Sequence, residues 1–134
     1  MNIKSKFVIM DHEAKRARYH QDLRFKKPDG NLWDSFAVRK GVPTQYGIKV
    51  LAIHTHDHTE KDALFTGVID DGYGAGKLDL FDKGDCIIEK YTNSHIVLNF
   101  KGRKIKGRYH LVSTVVMKNK SGKIREYFLF KGKV

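Results

Sequence analysis

The sequence predicts an all-β fold, a compact antiparallel β-barrel with short helical turns, and three observations lead there. Apolar residues fall in short runs rich in β-branched and aromatic side chains, as half-buried strands require. Clusters of Gly, Pro, Asn and Asp punctuate those runs at short intervals. Only one segment carries a helical pattern. About eight to ten strands at such spacing suit a closed or nearly closed barrel.

Taken in order, "FVIM" at 7–10 opens the strands, and "DHEAKRARY" at 11–19 is the segment expected to hold a helical turn. "YHQDLRF" at 19–25 and "SFAV" at 35–38 are strands joined by the hairpin signal "KPDGN" at 27–31. The loop "KGVPTQYG" at 40–47 leads into "IKVLAIHTH" at 48–56, and "LFTGVI" at 64–69 follows. "DDGYGAG" at 70–76 lacks the Lys-Ser/Thr ending of a phosphate-binding loop and precedes a strand, so it reads as a tight turn. "KLDLF" at 77–81 and "CIIEKY" at 86–91 read as separate strands about a "DKGD" turn at 82–85. "HIVLNF" at 95–100, "YHLVSTVVM" at 109–117 and "REYFLFK" at 125–131 complete the set, the last two joined by a hairpin at "NKSG", 119–122.

At 134 residues the chain is expected to form one domain, 1–134, with no internal repeat or linker. No stretch approaches the roughly 18 to 20 apolar residues of a membrane span. The opening "MNIKSKFVIMDH" has too short an apolar run for a signal peptide. A single cysteine, Cys86, excludes an internal disulfide framework and fits a reducing, cytoplasmic setting.

The net charge of +11 is unevenly placed. Residues 99–134 hold eleven Lys or Arg and one acid, Glu126, whereas the first 98 hold fifteen bases and fourteen acids. A basic face of this kind, with Lys104, Lys106 and Arg108 at its centre, suits a phosphate backbone. Nothing resembles an amphipathic membrane helix, so the expected partner is nucleic acid.

Two polar clusters sit at strand spacing. His20, Asp22 and Arg24 alternate, so an extended chain turns all three to one face. His54, His56 and His58 alternate likewise. Imidazoles beside a carboxylate suit Mn²⁺, Fe²⁺ or Zn²⁺, and the lack of a cysteine cluster argues against structural zinc. An open His, His and Asp site near cations suits a metal that holds a phosphate oxygen. Because charged faces disrupt a dry core, this site is expected inside the barrel or at its mouth.

"FVIMDHEAKRARYHQDLRF", "FAVRKGVP", "HDHTEKDALFTGVIDDGYGAGKLDLFDKGD" and "FKGRKIKGRYHLV" resemble, in that order, the 3′-phosphoesterase module of bacterial DNA ligase D and of stand-alone archaeal proteins. The resemblance spans about residues 6–131. It implies a β-barrel enzyme that removes a 3′-terminal ribonucleoside and then a 3′-phosphate from DNA or RNA–DNA primer-template ends. The cofactor it implies is Mn²⁺, with Co²⁺ or Zn²⁺ as substitutes, and a DNA ligase is the implied pathway partner. Residue by residue, it implies His12, His20 and Asp22 as metal ligands and Arg24, Lys40 and His58 as catalytic contacts to phosphate.

This sequence also departs from the family pattern. His12 and His20 enclose seven residues where the pattern has five. Asp62 stands where a phosphate-contacting tyrosine is usual. Val50 replaces an arginine, with Lys49 beside it as a substitute contact to nucleic acid. These departures motivate a second expectation, a non-catalytic nucleic-acid-binding barrel derived from the same family.

Overall fold

The computed structural model describes residues 1–15, 18–72, 75–114 and 125–133. Among these are nine strands: β1 (Ile3–Ala14), β2 (Arg18–Lys26), β3 (Trp33–Val38), β4 (Lys49–His54), β5 (Gly67–Ile69), β6 (Gly76–Tyr91), β7 (His95–Lys101), β8 (Lys106–Ser113) and β9 (Glu126–Lys131). One helical turn, α1 (Glu60–Ala63), lies between β4 and β5. The sheet runs β1-β2-β3-β4-β9-β8-β7-β6, and a β1–β6 pairing closes it into an eight-stranded antiparallel barrel, with β5 added outside on β6. The all-β antiparallel barrel expected from the sequence is the fold observed.

Strand alternation sorts the residues between two sides of the wall. Phe7, Ile9, Leu23, Phe25, Phe36, Val38, Leu98, Phe100, Leu111 and Leu129 fill the barrel. Val8 and Met10, one residue out of phase, join Trp33, Ala63 and Leu78 in a smaller cluster on the outside. That outer cluster exists because the segment after β4 folds back over β1–β3. Trp33 and His58 exchange both backbone hydrogen bonds, and Thr55 donates its N–H to Ser35 O. Residues 20–25 of β2 are therefore buried on both faces.

Three local expectations need correction. Among the described residues of 11–19 there is no helical turn, since Asp11–Ala14 extend β1 and Arg18 and Tyr19 open β2. It forms at Glu60–Ala63, where the Thr59 side chain caps the N-terminus by accepting from Asp62 N. "KLDLF" and "CIIEKY" are one strand, the 16-residue β6. The "DKGD" segment does not turn the chain back. Gly84 lies where a Cβ would meet the Lys101 carbonyl, and a bulge beside Asp82 bends the strand instead. The hairpin at 27–31 forms as expected, with Gly30 at φ +89° and Lys27 N donating to Leu32 O. The "NKSG" hairpin lies outside the described residues.

Asp82 ties the bent strand to the β7–β8 turn. Its carboxylate accepts from the amides of Lys83, Arg103, Lys104 and Ile105, at 2.9, 3.1, 3.0 and 2.8 Å. Burial opposes its ionisation, but these four donors hold its carboxyl below the usual range. The barrel interior also holds Cys86, whose thiol burial pushes up to about 12.

Two outcomes follow from this packing. Asp82→Ala should lower unfolding stability in urea by about 2–4 kcal/mol, because buried amides lose a charged acceptor. Since the folded pKa is depressed, that deficit is full above the unfolded value and should shrink as pH falls below about 4. Cys86 should resist alkylation at pH 8 in native protein and react at once in denaturant.

Candidate metal centre

Register builds the site. β1 pairs with β2 so that His12 lies opposite His20, Met10 opposite Asp22 and Val8 opposite Arg24. These residues share the outer face of the wall, while Phe7, Ile9, Leu23 and Phe25 point inward. The site is thus not inside the barrel or at its mouth, as the sequence suggested. It lies on the outside of the wall, beneath the 55–69 segment. A polar site can be buried there without wetting the core.

His12, His20 and Asp22 are 7%, 7% and 5% exposed. His12 Nδ1 is 3.1 Å from His20 Nε2 and 3.0 Å from Asp22 Oδ2, and His20 Nε2 is 3.0 Å from Asp22 Oδ1. His12 pairs directly with His20 across the two strands, so the longer spacing still leaves His12 in the cluster. The three distances are hydrogen-bond separations, with one Asp22 oxygen toward each histidine, and they bring two imidazoles and a carboxylate close enough to share one ion. Burial opposes the Asp22 charge, yet the hydrogen bonds of His12 and His20 and the Arg24 charge hold its carboxyl well below the carboxylate range.

Arg24 is as buried as its neighbours and heavily engaged. Its Nη2 donates to Asp22 Oδ2 at 3.2 Å and its Nε to Ser35 Oγ at 3.2 Å. Its Nη1 donates to the carbonyls of Asp62 and Ala63, at 3.3 and 3.1 Å. One guanidinium thus joins the metal-ligand set to α1 and to β3. His58 is half-buried against this group. Burial first, then the Arg24 and His56 charges, lower its pKa to about 4, so it is neutral at pH 7. The Asp62 carboxylate is close enough to act on both Arg24 and His58.

The other expected residues lie elsewhere. Lys40 is exposed in the turn after β3, and that loop is fastened to Gln21, whose Oε1 accepts from Val42 N at 2.8 Å. Lys49 is on β4, its Nζ 5.2 Å above the Phe130 ring. Lys104 stands 4.5 Å over Phe81, and Lys106 is exposed at the start of β8. Arg108 is held bidentate by Glu89, at 2.6 and 3.1 Å, which cancels its charge. The three histidines of the second cluster do not share a face. The strand ends at His54, which bonds Asp34 at 3.0 Å, while the His56 and His58 rings pack 4.4 Å apart.

Asp34, His54 and Asp57 form a second group with donor atoms close together. Lys27 already lies there, 2.7 Å from Asp57 and 3.8 Å from Asp34, and Tyr91 donates to Asp34. An ammonium and a phenol satisfy those carboxylates, so the His12 group is the better metal centre. Sequence reasoning missed Ser35, because a serine in "SFAV" carries no signal of the arginine above it. It also missed the two backbone carbonyls that hold Arg24.

The fold and this centre define a small β-barrel with a two-histidine, one-carboxylate site on its wall. The family model described as the DNA ligase D 3′-phosphoesterase domain matches residues 10–113. The chain is 41% identical over 113 residues, 81% of its length, to the multifunctional non-homologous end joining protein LigD of Mycobacterium bovis. It is 35% identical over 134 residues, 96% of its length, to LigD of Pseudomonas aeruginosa. It spans only 14% and 15% of those two relatives. The chain belongs to the DNA ligase D 3′-phosphoesterase domain family.

The assignment of the centre has a direct check. Titration calorimetry with Mn²⁺ should give one ion per chain, weakened at least tenfold by His20→Ala or Asp22→Asn and unaffected by His54→Ala. Affinity should also fall as the pH is lowered, because protons compete with the ion for the ligating imidazoles. Loss of metal in His54→Ala alone would move the centre to the Asp34 group.

Proposed function

We propose that this domain is a metal-dependent phosphoesterase that acts on 3′ ends of DNA or RNA–DNA strands in end repair. It would release a 3′-terminal ribonucleoside to leave a 3′-phosphate, and then release inorganic phosphate to leave a 3′-hydroxyl. The observation that carries the reading is the buried His12, His20 and Asp22 set with Arg24 and a neutral His58 beside it. Membership of the family and the naming of its relatives as end-joining proteins support it. Two imidazoles with a carboxylate, and no thiolate, form a donor set that Mn²⁺ accepts.

His12, His20 and Asp22 would hold the ion, which supplies Lewis acidity toward a phosphoryl oxygen. The residues of the chain do the rest. Arg24, fixed at four points, presents a guanidinium that needs no reorganisation as charge develops. His58 offers an imidazole N–H to a non-bridging oxygen, and a phosphate dianion at that point would raise its proton affinity. In hydrolysis a water adds to phosphorus, the bond to the 3′ oxygen breaks, and that oxygen takes a proton. Lys40, on an exposed turn beyond Gln21, would serve as a mobile counter-charge. The overall charge of +11, with Lys49, Lys104 and Lys106 outside the centre, would draw in the polyanion.

One observation favours the alternative, a binding module that no longer turns over. The Asp62 carboxylate acts on both Arg24 and His58, where it repels a phosphate. A single assay separates the readings. An end-labelled primer-template bearing a 3′-phosphate, incubated with Mn²⁺, should be converted to a 3′-hydroxyl. His20→Ala should lose metal and activity together. His58→Ala should keep the metal and lose about 10²–10³ in rate. Asp62→Tyr should accelerate release. Wild-type protein that binds the strand yet leaves its end intact with every divalent metal would establish the binding module.

A further inference from the structure

The wall opposite the metal centre carries a feature that the reaction does not use. In the closed order β1-β2-β3-β4-β9-β8-β7-β6, strands β9 and β8 stand four places from β1 and β2. Register aligns their outward residues into two rows. One row runs Lys49, Phe130, His110, Val97 across β4, β9, β8 and β7. The next runs Leu51, Phe128, Val112, His95.

The rings form a ladder. His95 and His110 stack with centroids 5.0 Å apart, and their Nε2 and Nδ1 atoms are 2.8 Å apart. His110 stacks on Phe130 at 5.1 Å with an interplanar angle of 11°. Lys49 caps the far end over Phe130. Phe128 and Leu51 are each 43% exposed, an unusual outlay of apolar surface on a strand face. Tyr46, 49% exposed, extends the edge with Lys131 over its ring. A shallow depression lined by Asn99, Lys101 and Lys106 adjoins the rows. Glu89 is taken by Arg108 and Asp85 by Lys6, while Lys49, Lys101 and Lys106 form no ion pair among the described residues.

We propose that this face is a second nucleic-acid site, which takes an unpaired strand by stacking a base on Phe128, beside the packed Phe130–His110 ladder. An exposed aromatic ring such as Phe128 with lysines about it is the chemistry that holds single strands, since every base has a π-face and every link a charge. Because the face lies on the far wall from His12 and His20, it would hold a separate segment from the one whose end is processed. The proposal does not require that the metal centre be active.

The test is fluorescence anisotropy with a labelled oligothymidylate ending in a 3′-hydroxyl, in EDTA, so that neither metal nor scissile phosphate contributes. Wild-type protein should bind it. Phe128→Ala should weaken binding about 5- to 50-fold, and His20→Ala should leave it unchanged. Lys49→Glu should weaken binding and lower the slope of log K against log salt by about 0.7 or more. An abasic oligomer of equal length should bind wild-type protein as weakly as thymidylate binds Phe128→Ala. Equal affinity of wild type and both face variants would overturn the site. So would a fall in sedimenting mass in Phe128→Ala, which would assign the face to a second copy of the chain. Failure of 3′-phosphate release would leave these results untouched, so the two readings stand or fall separately.

Discussion

The pairing register of β1 with β2 is the constraint on which the rest of the structure depends. Side chains alternate with a period of two, so one register decision sends Phe7, Ile9, Leu23 and Phe25 inward and Val8, Met10, His12, His20, Asp22 and Arg24 outward. A slip of one residue would put two imidazoles, a carboxylate and a guanidinium into the barrel, at a cost no core could absorb. The metal centre and the hydrophobic core are thus two faces of the same two strands. Neither can be altered in register without loss of the other.

The outer face needs its own cover, and Arg24 fastens it. Its four hydrogen-bond partners come from β2, β3 and the α1 segment, so the guanidinium is both the cation of the site and a tie between wall and cover. Trp33 packs beneath that cover with Val8, Met10 and Ala63. Removal of Arg24 would leave Asp22 buried without its strongest charge partner, which costs several kcal/mol in such settings. Rate loss on substitution at Arg24 therefore mixes chemistry with folding. His58, bonded to the wall through its backbone, separates them more cleanly.

The sequence made the alternating trio of β2 legible because period two is a local property of the strand. His12 was legible only through resemblance, since its partnership with His20 depends on the register in which β1 and β2 pair. What could not be read was the side of the wall on which the trio lies, which depends on the return of residues 55–69 over β1–β3. The fused strand β6 was also hidden. "DKGD" has turn composition, but Asp82 spends its carboxylate on amides 103–105 instead of on its own turn. One missed element did leave a signal. "TEKD" at 59–62 has the Ser/Thr-x-x-acid pattern of a capped helix start, and the single turn forms there.

The two walls differ in how they present charge, and that difference suggests how the molecule divides its work. On the β1–β3 wall His12, His20, Asp22 and Arg24 are buried and linked in one fixed array, which suits recognition of one phosphate at one position. On the β4–β9–β8–β7 wall Lys49, Lys101 and Lys106 are exposed, make no ion pair among the described residues, and lie about an exposed Phe128, which suits loose contacts to a flexible strand. Val50 faces the core on β4 while Lys49, its neighbour, faces outward over Phe130. Lys49 therefore cannot replace a cation at the metal centre, two strands away, and its charge belongs to the opposite wall. A barrel is stiff enough to keep the two surfaces apart, so binding energy gained on one wall can retain the nucleic acid without disturbing the geometry of the other.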